Sequence, residues 1–319
     1  MGNFKIFIFG ALAAGAFVFS LVNGSVEIGA DKIFGEVQLS ETERQILENI
    51  RLPRTVVALL VGVNLSLSGA ILQAVMKNPL ADPHIIGISS GAGLFGIAAM
   101  LIFNDAGALV TPAAFLGALL AAAMIYLLAW KDGIRPIRVI LAGVAVSAFL
   151  GAGISALLIF YSEKVHGALL FMVGGLSARS WQHVELLYPY TIFGAALTFL
   201  AARHLNVLQL GDEVAKGLGL RVNLTRTIMI AVAALLAASA VCVVGLLGFV
   251  GLIIPHTARL LVGSDYRFLL PSSALLGAAV VTFSDTLARI LFAPAELPVG
   301  ILMAMLGAPF FLYLLRKEI

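Results

Sequence analysis

Long apolar runs, separated by short charged or Pro- and Gly-containing segments, make up most of the 319-residue chain. The runs are continuous rather than alternating in polarity, and most have the roughly 20 residues that an α-helix needs to cross a bilayer. The pattern therefore predicts an all-α, polytopic membrane protein with about ten transmembrane helices. The predicted spans are 4–22, 53–76, 84–103, 107–130, 137–160, 187–203, 225–246, 249–262, 268–292 and 297–315.

The spacing of these runs also predicts the domain organisation. The run at 249–262 is short for a full crossing, which indicates a helix that is tilted or partly buried in protein. Three connections are longer than a turn: the outer segments 23–52 and 161–186, and the inner segment 204–224. Since the other connections are tight, residues 1–319 are predicted to form a single transmembrane domain.

Orientation follows from the positions of the basic residues. An even number of spans places both termini on the same side of the membrane. Most of the 20 Lys and Arg residues fall in loops on that side, and basic loops stay in the cytoplasm. We therefore expect a multi-pass protein in contact with the lipid bilayer, with both termini cytoplasmic.

Composition excludes several classes of function. Hydrophobic residues make up 61% of the chain and charged residues 12%, against about 25% charged in soluble domains, so a soluble enzyme is excluded. A net charge of +3 does not support a nucleic-acid partner. The lone Cys242 excludes a disulfide framework within the chain and a cysteine-based metal site. We predict no catalytic residue, no metal site and no cofactor in this chain.

Charged residues near the ends of spans are the first candidate site. Arg51 and Arg54 flank Pro53 at the start of the second span. They either anchor the helix at the interface or contact an acidic partner, because the positive-inside bias disfavours arginine on this side. Asp285 and Arg289 lie four residues apart in the ninth span and form either a structural pair or part of a proton relay. A relay would need further acidic residues in other spans, and these are missing.

The inner segment 204–224 is the second candidate site. Asp212 can cap a short helix, Glu213 suits the positive end of its dipole, and Gly219 can end it. Such a helix has a small apolar face and either lies on lipid or enters a groove of another protein. Because the segment lacks the Trp, Phe and Lys/Arg richness of membrane-surface helices, we favour docking. The apolar face consists of Val214, Ala215 and Leu218.

Small residues recur on two predicted spans. Gly87 and Gly91 form a GxxxG match in the third span, and in the fifth span small residues repeat every four positions. Such stripes allow close packing of helices, and a smooth pore wall is the alternative that the sequence leaves open. The residues in the fifth span are Gly143, Ser147, Gly151 and Ser155.

Further motifs are spread along the chain. They are Arg51-Leu52-Pro53-Arg54, Asn78-Pro79-Leu80-Ala81-Asp82-Pro83, Gly211-Asp212-Glu213-Val214-Ala215 with Leu218-Gly219, Gly248-Phe249-Val250-Gly251-Leu252-Ile253-Ile254-Pro255-His256, Asp285 with Ala288-Arg289, and Glu296-Leu297-Pro298-Val299-Gly300. In combination, and over nearly the whole chain, they resemble the FecCD-type permeases. These are the membrane subunits of ABC importers for iron–siderophores, haem and vitamin B12.

This resemblance implies that residues 1–319 form a single transmembrane permease domain with the architecture of a type II ABC importer and ten helices per subunit. It also implies a place in the bacterial plasma (inner) membrane. It implies a second permease subunit, identical or homologous, and an external substrate-binding protein. Two cytoplasmic ATPase subunits would hold ATP and Mg, since the chain lacks the G-x-x-x-x-G-K-[ST] loop that cradles nucleotide phosphates.

Site residues also follow from the resemblance. Arg51, Arg54 and Arg289 would pair with acidic residues of the binding protein. Ser147 and Gly151, together with the tenth helix, would line the translocation path. The segment that couples to the ATPases would consist of Gly211, Asp212, Glu213, Val214, Ala215, Leu218 and Gly219.

The expected function is that of the membrane-spanning subunit of an ATP-driven importer. It would move an iron chelate, a ferric siderophore on the frequency of such substrates in the family, from an external binding protein into the cytoplasm. Haem and cobalamin are the alternatives within the family. An ion-coupled secondary transporter is the alternative from another class, and it would need embedded charged residues to couple the ions.

Overall fold

The computed structural model of the protein describes residues 2–24, 26, 28–33, 35, 38–84, 87–103, 107–131, 133 and 135–318. Parts of the predicted outer segment 23–52 and of the predicted span 84–103 therefore lie outside the described residues. The α-helices are α1 (Gly2–Val22), α2 (Ala30–Ile33), α3 (Glu41–Ile46), α4 (Leu52–Met76), α5 (Ile88–Ile102), α6 (Gly107–Ala129), α7 (Pro136–Phe160), α8 (Val165–Val173), α9 (Trp181–Leu200), α10 (Ala202–Gln209), α11 (Asp212–Gly217), α12 (Val222–Val244), α13 (Val250–Val262), α14 (Tyr266–Ile290) and α15 (Val299–Glu318). A π-helical turn, Leu47–Arg51, joins α3 to α4, and a 3-10 turn, Ser162–Lys164, precedes α8.

The helices confirm an all-α, polytopic membrane fold in the described part of the chain. Six stretches are long and apolar enough to span a membrane: α1, the continuous stretch from α3 to α4, α6, α7, α12 and α14. A seventh is the pair α9 and α10, which is bent by 52°. Shorter apolar helices, α5, α13 and the Val299–Tyr313 part of α15, occupy the three remaining predicted positions. The expectation that 249–262 is short is confirmed, since α13 has 13 residues.

The outer segment 161–186 is predicted to be a connecting loop, but much of it is helical. It contains the nine-residue apolar helix α8 and the first turns of α9, which begins at Trp181 rather than at 187. Helix α8 is too short to be recognised as a span. Polar residues in the first turns of α9, among them His183 and Glu185, lower the local hydropathy and hide its true start.

Helix α4 lies at the centre of the bundle and packs against α14, α12, α13 and α9. Its buried polar side chains bond to neighbouring helices. Asn64 donates to Ser239 Oγ at 3.1 Å, Ser68 donates to the Ala233 carbonyl at 2.7 Å, and Gln73 donates to two carbonyls at the start of α13. Hydrogen bonds of this kind hold helices together where no hydrophobic force drives association.

The GxxxG match is used for packing. Helices α5 and α6 lie side by side, and a Cβ atom added to Gly91 would overlap the carbonyl oxygen of Gly117. We therefore expect Gly91→Ala to destabilise the protein by about 1–3 kcal/mol, the usual cost of overpacking. Gly10→Ala is the matched control, because its Cβ would meet open space and alanine favours a helix over glycine.

The buried thiol of Cys242 gives the readout for this prediction, because a thiol-reactive dye reaches it only on unfolding. We expect the unfolding midpoint to fall in Gly91→Ala and to stay or rise in Gly10→Ala. Equal midpoints for the two variants would contradict the close contact between α5 and α6.

Candidate functional site

The segment around α11 is held to the bundle by one carboxylate. Asp212 accepts hydrogen bonds from both terminal nitrogens of Arg226 at 2.7 Å, and from Lys77 Nζ at 2.8 Å. Arg226 lies on α12, and Lys77 follows the last residue of α4. The expectation that Asp212 caps the helix is wrong: Gly211 is the N-cap residue, and the Asp212 side chain turns to the two cations instead.

The same contacts determine the charge of Asp212. Partial burial of the carboxyl works to raise its pKa, but the hydrogen bonds from Arg226 and Lys77 and the charges of these residues outweigh it, so the pKa of Asp212 lies below its ordinary value. The carboxylate therefore stays charged at neutral pH, and its ion pairs connect the segment to two membrane helices.

The expected end of this helix at Gly219 is confirmed. Gly219 has φ +84°, a left-handed conformation that glycine adopts without strain. Its N–H donates to the Lys216 carbonyl, and the Leu220 N–H donates to the Ala215 carbonyl, both at 2.9 Å. These two bonds form a Schellman motif, which fixes where α11 stops.

An apolar stripe is exposed on this segment. Leu210 precedes the N-cap Gly211, and Val214 and Leu218 lie one helical turn apart on α11 and its C-cap. The exposed fractions of these three side chains, called the stripe below, are 59%, 50% and 63%. Ala215, expected on the same face, is instead fully buried against the bundle. Glu213 is exposed beside the stripe. Such a stripe suits a groove in a partner, and ATPase docking stays a prediction.

The second site is a buried charge cluster at the other end of α4. Arg54 donates from Nε and Nη2 to the two oxygens of Asp285, each at 2.9 Å, and from Nη1 to Glu296 at 2.8 Å. Arg289 Nε lies 3.5 Å from the Asp285 carboxylate. The interpretation of Asp285 as part of a structural ion pair is confirmed, and its main partner is Arg54 on another helix.

All three arginines expected to dock an external protein are buried. Arg289 donates to the hydroxyl and the carbonyl of Ser20 at 2.8 and 3.2 Å. Arg51 donates to the carbonyls of Leu21, Val22 and Val26. With Arg54 and Glu296 they line a small cleft of about 170 Å³. Their guanidinium groups are thus engaged inside the chain, and a docking role for them stays a prediction.

Glu296 is a member of this cluster that residue-level reasoning missed. It sits in the loop between α14 and α15 and accepts a hydrogen bond from Ser177 Oγ at 3.1 Å as well as from Arg54. Burial works to raise its pKa, but the bond and charge of Arg54 dominate and lower the pKa of Glu296. The sequence signal that could have pointed to Glu296 was its position in the Glu296–Gly300 motif.

The two residues expected on the translocation path lie on α7. Ser147 faces Gly87 at the start of α5, since a Cβ on Gly87 would approach its hydroxyl oxygen, and so it belongs to helix packing here. Gly151 is half-buried and borders open space. Nothing in these contacts tests a path, and both assignments stay predictions.

A large cavity lies elsewhere. It has a volume of about 640 Å³ and opens between α8, α13 and α15. Its wall is mostly apolar, with the buried Asp82 as a polar member; burial raises the pKa of this carboxyl. Ile301 and Met305 on its wall belong to the tenth predicted span, which was expected on the path, and Leu252 belongs to a motif named above. Lining residues that sequence reasoning missed altogether are Met172, Val173 and Leu246. They come from segments that are far apart in the chain, so only the folded structure shows that they line one cavity.

These features define a class: a multi-pass, all-α membrane permease. A model of the FecCD transport family matches residues 12–317. The chain belongs to this family, as its motifs indicated.

Similar proteins agree with the assignment. The chain is 41% identical to the Fe(3+)-citrate import system permease protein YfmE of Bacillus subtilis (strain 168), over 94% of this chain and 91% of that protein. It is 45% identical to the cobalamin import system permease protein BtuC of Halobacterium salinarum, over 87% and 75%. A solved metal-chelate type ABC transporter in an inward-facing conformation matches with a TM-score of 0.88 and 31% identity, over 98% of both chains. The chain is therefore a permease of the ABC importer type.

Proposed function

We propose that this chain is the translocation subunit of an ATP-driven importer that carries a ferric siderophore or another iron chelate into the cytoplasm. Two permease subunits, identical or homologous, would enclose the path, and two cytoplasmic ATPase subunits would hold ATP and Mg. An external binding protein would deliver the chelate. The identity to an Fe(3+)-citrate permease over nearly the whole chain supports this choice of substrate.

The observation that carries the ATP-driven mechanism is the exposed stripe of Leu210, Val214 and Leu218 beside the Asp212 ion pairs. A surface that is both apolar and rigidly connected can receive a displacement from a partner and pass it to α4 and α12. A secondary transporter would not need such a surface. In this orientation the stripe faces the cytoplasm together with both termini, as the positive-inside bias indicates.

Cobalamin is the second candidate substrate, because the chain is 45% identical to a cobalamin permease. Haem is the third candidate from the resemblance. The wall of the 640 Å³ cavity is mostly apolar, and it does not favour one of these ligands over the others. We assign the cavity, rather than α7 alone, to the path, with α15 as the tenth helix contributing one wall.

The docking of a binding protein at the outer end stays part of the proposal. Since Arg54 neutralises two carboxylates inside the chain, reversing its charge would disrupt the fold as well as any docking. Arg51→Gln is the better variant, because among the described residues the partners of Arg51 are backbone carbonyls. Association with the binding protein should weaken most at low salt.

Reconstitution tests the proposed function. The permease should be placed in liposomes with and without its ATPase and binding protein, and uptake of ferric citrate, a ferric hydroxamate and cobalamin should be measured. We expect uptake of an iron chelate only when ATPase, binding protein and MgATP are all present. Accumulation driven by an ion gradient, with the permease alone, would contradict the proposal and favour a secondary transporter.

A further inference from the structure

The loop between α8 and α9 holds a guanidinium group that the ion-pair cluster does not neutralise. Arg179 follows Ala178, whose φ of +58° is unusual for a residue other than glycine. The Nε atom of Arg179 is buried and has no hydrogen-bond acceptor in the described part of the chain. Glu296, the carboxylate that contacts this loop through Ser177, is already bonded to Arg54.

His183, which lies beside Arg179, also offers an N–H group as a hydrogen-bond donor. His183 Nδ1 accepts the backbone N–H of Ser180 at 3.2 Å and lies 3.1 Å from the Ser180 hydroxyl. Because Nδ1 is an acceptor, the proton of the neutral imidazole is on Nε2. That nitrogen lies 3.5 Å from Arg179 Nη1. Two N–H groups therefore face each other without an acceptor between them. An oxygen atom placed beside both would accept a hydrogen bond from each.

The surroundings favour an anionic acceptor over a neutral one. Among the described residues of this cluster, Arg51, Arg54 and Arg289 line one cleft with a single carboxylate, Glu296, and Asp285 is the second carboxylate. Arg179, which feels the charge of Arg54, adds a further cation. Burial and the nearby positive charge of Arg54 lower the pKa of Arg179, which is the response of a cation that lacks a counter-ion.

A recess beside Arg179 provides the space. A cavity of about 150 Å³ lies between α5, α8 and the loop, and its polar lining includes Arg179 and Ser177. Apolar residues such as Met100 and Phe171 form the rest of the wall. A recess of this size admits one arm of a small ligand.

We propose that Arg179 and His183 bind a carboxylate of the transported chelate at the outer end of the permease. The inference deepens the proposed function and rests on it. An arginine fork and a histidine N–H match the two oxygens of a carboxylate. Selectivity for anionic, carboxylate-bearing chelates over neutral hydroxamates follows from the charge of the site.

Titration of the full-length permease in nanodiscs with citrate, and then with ferric citrate, tests the site. We expect Arg179→Gln to weaken binding of both probes about tenfold or more, the loss of one charged bond or more. Arg179→Lys should restore part of the affinity. Arg44→Gln removes an exposed arginine from the same outer region, and it should bind like the parent protein.

A second measurement guards against misfolding of the variant. Citrate should raise the temperature at which the buried Cys242 reacts with a thiol dye in the parent protein, and this shift should vanish in Arg179→Gln. Absence of citrate binding to the parent at millimolar concentration would overturn the site. Weaker association of Arg179→Gln with the external binding protein, with citrate binding unchanged, would assign the acceptor to that protein and also overturn it.

Measurements of uptake distinguish a failure of this inference from a failure of the proposed function. In the reconstituted importer we expect Arg179→Gln to raise the KM for ferric citrate about tenfold while leaving the KM for a neutral ferric hydroxamate unchanged. Equal uptake of ferric citrate by both proteins would overturn the site and leave the function standing. Citrate binding by the parent without any MgATP-driven uptake would overturn the function and leave the site standing.

Discussion

Asp285→Asn should destabilise the protein by about 3–5 kcal/mol, the cost of removing one partner from a buried ion pair. The asparagine has the shape of the aspartate but not its charge. Arg54 would then depend on Glu296 alone, and Arg289 would lose its only carboxylate within salt-bridge distance in the described residues. One buried guanidinium group would keep a single anion and the other would have none within that distance, and neither can lose its proton to relieve this.

The Arg44–Glu48 pair supplies a matched control. It has the same four-residue spacing as Asp285–Arg289, but both side chains are more than half exposed. Glu48→Gln should therefore cost at most about 1 kcal/mol. The midpoint of unfolding, followed by dye labelling of the buried Cys242, should fall by several degrees in Asp285→Asn and hardly move in Glu48→Gln. If both variants have the same midpoint of unfolding, the buried network adds no net stability.

The sequence could predict the membrane segments because the bilayer imposes them. A span must be apolar and of a certain length whatever the rest of the chain does, so the positions of α4, α12 and α14 follow from hydropathy alone. The pairing of Asp285 with Arg289 could also be expected, since helical periodicity brings residues four apart together. Both kinds of inference use only local information.

Partners far apart in the chain could not be predicted. Arg54 and Asp285 are separated by 231 positions, and sequence reasoning gave Arg54 to an external protein instead. The prediction that Asp212 caps α11 was wrong for a similar reason. Asp212 has the right residue type for a cap, but Arg226 and Lys77 offer charged hydrogen bonds that are stronger than bonds to backbone N–H groups.

Helix α8 and the loop after it were missed for a different reason. Nine residues cannot cross a bilayer, and nothing in hydropathy distinguishes a short apolar helix from an apolar loop. The end of α8 is fixed by backbone bonds to distant segments, from Leu246 N–H to the Phe171 carbonyl at 2.9 Å and from Gly300 N–H to the Gly174 carbonyl at 3.0 Å. The recess at Arg179 exists only because these segments meet.

Leu218→Asp should abolish coupling to the ATPase while leaving the membrane fold intact. Leu218 is 63% exposed and follows the last residue of α11, so the substitution removes little packing inside the chain. In a docked complex the new carboxylate would enter an apolar groove without a partner, at a cost on the order of several kcal/mol. We therefore expect association with the ATPase to weaken at least about tenfold, and MgATP-driven uptake to fall with it.

Two further variants make this prediction specific to the stripe. Asn223→Asp adds the same charge to an exposed residue at the start of α12, off the stripe, and it should leave association unchanged. Leu218→Met keeps an apolar side chain of similar volume and should bind the ATPase like the parent. Association is measured by co-purification of ATPase with each permease variant, after the Cys242 dye has shown that the variant is folded. Full association of Leu218→Asp would mean that the groove lies elsewhere, and that the stripe of Leu210, Val214 and Leu218 faces lipid or water in the assembled importer.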